Sequence, residues 1–140
     1  MSLENLENQE QEMEKLEKAV EDNENKMEEV DQRLKDIESA IGELSGDKAV
    51  AETVEKNKED AENVKEDLES KREEIKQNLE NASQEIQEMK EENNESSDVL
   101  KKLEGLGEDV SEGREIVTER SEKLSQMEQK VKDLQSRLKG

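Results

Sequence analysis

A ladder of apolar side chains spaced by seven constrains this chain more than any other feature. From Leu6 it runs through Met13, Val20, Met27, Leu34 and Ile41. Three residues after each rung come Gln9, Leu16, Asn23, Val30, Ile37 and Leu44. The positions between are nearly all Glu, Lys, Gln, Asn, Asp or Arg. A spacing that averages 3.5 residues keeps one narrow apolar stripe on one side of a helix. A single helix has nothing to bury that stripe against and is marginal in water.

A second ladder starts at Val54. It continues through Ala61, Leu68, Ile75, Ala82, Met89, Ser96, Leu103, Val110, Val117, Leu124, Val131 and Leu138, apolar everywhere except Ser96. Its companion column is less regular. It passes Val50 and Val64, shifts to Leu79, Ile86 and Leu100, then returns as Leu106, Met127 and Leu134. The two ends of this stretch therefore present different seams.

Order matters here because composition alone points elsewhere. Only 27% of the 140 residues are apolar, and the formal net charge is -20. Few apolar side chains and a high charge are the usual marks of a disordered chain. The ladders argue instead for helices that pack. Three helices of six heptads offer about 36 seam positions, and the chain has 38 apolar residues. That fills a thin seam and nothing wider. The expectation is an all-α, elongated antiparallel coiled-coil bundle in one domain spanning 1–140.

The breaks set the helix count. Leu44-Ser45-Gly46-Asp47 offers a glycine to end one helix and an aspartate to cap the next. Residues 90–98 contain no apolar side chain, and Ser97 or Asp98 could cap a helix beginning at Val99. The rival break is Gly105 to Gly113, where Asp109 and Glu112 have capping-box spacing. A break at 93–97 yields helices of about 3–44, 48–92 and 98–139. Each is roughly 63 Å long at 1.5 Å per residue, so their seams match from end to end. Equal lengths favour this choice over the glycines.

Function classes fall away quickly. Without Cys or His there are no disulfides, zinc fingers or Cys–His nucleophile pairs. Without aromatic residues there is no platform for stacking bases, and the negative charge repels phosphates, so no nucleic-acid partner is expected. The longest apolar run, Ala49 to Ala51, is too short for an integral membrane segment or a secretory signal. Gly42 to Lys48 lacks the Gly-Lys-Ser/Thr of a phosphate loop and reads as a turn. The sequons at Asn81 and Asn94 read as chance matches. The oxygen-rich segments Asn93–Asp98 and Gly107–Glu112 lack calcium-loop spacing and read as solvated turns. No acid–base constellation stands out among the carboxylates. No enzyme activity, cofactor or metal is expected.

The polar residues in the seam carry more information. They are Gln9, Asn23, Asn57, Lys71 and Arg120. A polar side chain at a seam position weakens the bundle but fixes register or partner choice. The bland alternative is that such residues fray or extend their ends into water.

Arg120 sits between the rungs Val117 and Leu124, in the run Val117-Thr-Glu-Arg-Ser-Glu-Lys-Leu-Ser-Gln-Met127. With the residues that follow, 99–138 resemble an R-SNARE motif of the synaptobrevin type. There a Glu-Arg pair and then Lys-Leu-Ser surround the arginine of the central ionic layer. The resemblance implies that Arg120 is that arginine and that Leu124, Met127, Val131 and Leu134 form the following layers. Residues 3–37 resemble part of a Q-SNARE motif, with Gln9 as the layer glutamine. The Q-like segment lacks the upstream half of that motif, and the R-like segment stops short of the last layers. The implied role is helix-bundle assembly in membrane fusion or its regulation, with any membrane association indirect, through partners.

Together these features lead to a non-enzymatic cytoplasmic scaffold, spacer or adaptor. Its partners would be other helical proteins or further copies of itself, with Gln9, Asn23 and Arg120 setting register. The alternatives are a SNARE-like fusion or tethering component and an acidic chaperone-like protein that binds basic clients.

Overall fold

The computed structural model describes residues 3–44 and 46–139. Over these the chain forms a helical bundle of three helices: α1 (Leu3–Glu43), α2 (Lys48–Gly105) and α3 (Ser111–Lys139). Each carries an apolar stripe against a charged remainder, so each needs a neighbour for one face only.

The first turn falls where its glycine and aspartate place it. Gly46 has φ +90°, the left-handed region that suits glycine. The Asp47 carboxylate accepts the backbone N–H groups of Ala49 and Val50 at 3.1 and 3.3 Å, and its carbonyl accepts that of Ala51. Asp47 thus satisfies donors that the first helical turn leaves without partners. Ser45, part of the same expected turn, lies outside the described residues.

The second turn corrects the sequence-based boundary. The chain does not break at 93–97; helix runs unbroken through those residues and ends at Gly105. The three helices have 41, 58 and 29 residues rather than equal lengths. Gly107 has φ +88°. Its N–H donates to Glu104 O at 3.0 Å, and the Glu108 N–H reaches back to Leu103 O at 3.1 Å. Those paired bonds form the Schellman ending that favours glycine. Across the turn, Asp109 Oδ1 accepts the N–H and hydroxyl of Ser111 at 3.0 and 2.6 Å. Both bonds favour the charged carboxylate, and they hold Asp109 below its ordinary pKa. The start of α3 is therefore held by Asp109 with Ser111, where the spacing had suggested Glu112.

Residues 90–98 stay helical for an equally local reason. They hold no Gly or Pro, and Glu and Lys are good helix formers. Asn93 is also a seam residue, one heptad beyond Ile86 and one before Leu100. It is buried. The segments 81–83 and 94–96, sequons by pattern, both lie inside α2.

The bundle divides into two compact units. One comprises Met1–Glu17 with Lys76–Gly140, the other Lys18–Ile75. The smaller is a hairpin of α1 and α2, with Val20, Asn23, Val30, Ala61 and Ile75 buried. Its seam thins toward the turn, where Leu34, Ile37 and Ile41 are only half-buried. The larger unit is a three-helix arrangement. Its core joins Leu6, Met13 and Leu16 of α1, Leu79, Ala82 and Ile86 of α2, and Leu124, Met127, Val131, Leu134 and Leu138 of α3.

Candidate interaction seam

The chemistry of this protein is concentrated where polar groups enter the seam. In the smaller unit, Asn23 is 3% exposed and its Nδ2 donates to Leu68 O at 3.0 Å, bridging α1 to α2. Nearby, Lys65 pairs with Asp31 across the same hairpin at 3.0 Å. That contact, chiefly its hydrogen bond, raises the pKa of Lys65. The two pairs, 23 with 68 and 31 with 65, run in opposite senses along the chain, as an antiparallel hairpin requires.

The larger unit repeats the device. Asn93, also 3% exposed, donates Nδ2 to Val117 O at 3.0 Å and bridges α2 to α3. Its Oδ1 is buried without a hydrogen-bond partner. Gln9 is 4% exposed, and its Nε2 is likewise buried and unpartnered. It borders a polar groove of about 330 Å³ between α1 and α2, lined also by Asn8, Glu12, Asn78, Asn81 and Glu85.

Ion pairs sit at the edges of this seam. Glu128 Oε2 accepts from Lys90 Nζ and Gln87 Nε2, both at 2.7 Å, while Lys132 approaches Oε1 at 3.5 Å. The Lys90 hydrogen bond, above all, holds the Glu128 carboxyl below its ordinary pKa. Lys123 pairs with Glu10 at 3.6 Å and Lys130 with Glu17 at 2.5 Å. Lys130 likewise lowers the pKa of Glu17. The two contacts step by seven on both helices in the same direction. Here α1 and α3 therefore run parallel, with α1 beside the α3 column that contains residues 123 and 130. Arg114 pairs with Glu104 beside the second turn.

The residues expected to set register are divided in their placement. Gln9 and Asn23 are buried, and so are Leu124, Met127, Val131 and Leu134. Arg120 is half-buried. Among the described residues no hydrogen bond joins Gln9 to Arg120. Asn57 and Lys71 are exposed, because the seam of α2 passes beside them. Asn93 was missed as a seam residue. The signal was present in the column Leu79, Ile86, Asn93 and Leu100, but the run of polar neighbours read as a loop.

Among the described residues no group of three or more acidic side chains converges as a metal site would. No helix among them is long and apolar enough to cross a membrane. The known protein families, the curated proteins and the solved structures contain no match to this chain.

Proposed function

We propose that this chain is a non-enzymatic interaction protein, a cytoplasmic scaffold, spacer or adaptor built on heptad seams. One observation carries the reading: among the described residues burial is confined to the seams, and two seam asparagines each bond a backbone carbonyl of the neighbouring helix. Each asparagine is a polar group inside an apolar seam and is satisfied by the neighbouring helix, which suits a protein whose task is to present helices in fixed alignment. The other faces are mostly charged and solvated, which suits partners that read helix surfaces.

Sedimentation velocity with interference optics tests this directly, since the chain has no Trp or Tyr. The reading expects one discrete helical species, a 16.1 kDa folded monomer or a small oligomer. A highly expanded chain without helical circular dichroism would overturn it.

A SNARE-like role is the second reading, favoured by the burial of Gln9 in the α1 seam. It requires residues 99–138 to enter a mixed bundle with foreign SNARE helices. Absence of any such complex, where a control R-SNARE assembles, removes it.

A further inference from the structure

The tip of the α2–α3 hairpin carries an apolar face that no described residue covers. Val99, Leu106 and Ile116 are 55%, 79% and 48% exposed, and Leu103 beside them is 38% exposed. Val99 and Leu103 stand at i and i+4 on one side of α2, and Leu106 follows in the turn just past its end. An apolar cluster amid charged surface marks a contact site more often than an isolated apolar side chain does.

Heptad spacing identifies this face. Ile116 stands seven residues before Lys123 and fourteen before Lys130, the lysines that pair with α1. Val99 stands fourteen after Glu85 and twenty-one after Asn78, which line the groove between α2 and α1. The same two columns thus flank α1 farther along the hairpin. Where α1 lies alongside, those columns carry Asn78, Glu85, Lys123 and Lys130. Past Glu92 they carry Val99 on α2 and Ile116 on α3, with Leu106 in the turn beyond. The side of the hairpin that receives α1 continues, turns apolar and is left open.

Charge selects the occupant. Residues 92–120 hold nine acidic and four basic side chains, a net of -5, within a chain of net -20. Glu112 and Glu119 flank Ile116 on its own helix face, and Glu95 flanks Val99. A second copy would bring like charge against like. We infer that this face docks a basic amphipathic helix of another protein, with an apolar stripe on Val99, Leu103, Leu106 and Ile116 and Lys or Arg along its edges. The open stretch accommodates about two heptads, roughly 20 Å of helix. This inference rests on the interaction-protein reading above.

The test uses the full chain and a synthetic 21-residue peptide with Leu at its seam positions, Lys on its flanks and a single Trp. The protein has no Trp, so the fluorescence reports the peptide alone. The expected result is saturable binding with a blue shift, weakened about tenfold or more in a Val99→Gln/Ile116→Gln variant. A Val50→Gln/Val64→Gln variant should bind like the parent, since those exposed valines lie in the other unit. Circular dichroism checks that both variants keep their helices. Equal binding by the Val99/Ile116 variant, equal binding of a Glu-flanked peptide, or no binding at all overturns the docking face. So does a dimer, formed without peptide, that this variant dissociates. Each of these leaves the broader reading standing, because that is decided by sedimentation of the unmodified chain.

Discussion

Asn93 reaches across the α2–α3 seam and donates its Nδ2 to the backbone oxygen of Val117 at 3.0 Å, while its own Oδ1 stays buried and unpartnered. The side chain is therefore half-satisfied. One bond aligns the two helices, and one buried acceptor weakens the bundle by about 1–3 kcal/mol. Asn93→Leu should remove that penalty and add apolar burial, raising stability by roughly 1–2 kcal/mol and Tm by several degrees. It should also loosen register, so that sedimentation resolves more than one species. A lower Tm with a single unchanged species would refute this account of Asn93.

Asn23 makes the matching bond to Leu68 in the smaller unit. Its hairpin has the thinner seam, with no third helix described within that unit, so loss of alignment should show more strongly. In an Asn23→Leu variant, cross-linking of cysteines placed at 31 and 65 by a short bis-maleimide spacer should fall while the helical signal persists. Those positions hold the Asp31–Lys65 pair, whose charged ends meet at 3.0 Å in the native register. Undiminished cross-linking would show that register is set elsewhere.

What the sequence revealed, and what it hid, divides along physical lines. The α1 seam was legible from Leu6 to Val30, where long-range burial and local periodicity agree at every rung but the half-buried Met27. Leu6, Gln9, Met13, Leu16, Val20, Asn23 and Val30 are all buried. The second turn was not legible, because two local signals competed. A stretch without apolar residues around Asn93 resembled a loop, and matching helix lengths reinforced it. A polar run still propagates as helix when it lacks Gly and Pro and places an amide in the seam. Gly107, which can adopt φ +88° without strain, was the stronger stop. The polar seam residues were only partly legible, since Asn57 and Lys71 required a column that α2 does not bury.

Gly107 and Gly42 should answer the same substitution with opposite sign. Gly107 has positive φ, and a Cβ there would meet no atom within 4 Å. Gly107→Ala therefore isolates backbone strain and should cost about 1–2 kcal/mol. Gly42 lies within α1, also with open space around it. Gly42→Ala should stabilise by up to about 1 kcal/mol through helix propensity. Thermal unfolding followed by circular dichroism reads both. A Gly107→Ala variant as stable as the parent would mean that the second turn does not depend on its left-handed residue.

Arg120 is half-buried between two seam rungs, Val117 and Leu124. A guanidinium there sacrifices apolar contact to keep its charge near water. Arg120→Leu should raise Tm and relax the choice of helical partner, the usual trade at a polar seam position. Unchanged melting together with unchanged pairing would show that Arg120 already lies outside the working seam.

Glu128 offers the cleanest dependence on pH. Its carboxylate accepts from Lys90 and Gln87 at 2.7 Å, and the Lys90 bond is the leading cause of its lowered pKa. A carboxyl depressed on folding stabilises the native state above its unfolded pKa, and that contribution disappears as pH falls through the folded value. Glu128→Gln abolishes the titration and most of the charge attraction while nearly preserving shape. The parent should therefore melt a few degrees above the variant at neutral pH. The gap should hold down to about pH 5 and close as pH falls through about 4 and below, given an ordinary glutamate value near 4.3. Protonation of the many other carboxylates will shift both proteins together as the net charge of -20 is relieved, so the difference isolates this site. A gap that persists unchanged at pH 3 would mean that Glu128 contributes through side-chain packing rather than through its ion pair.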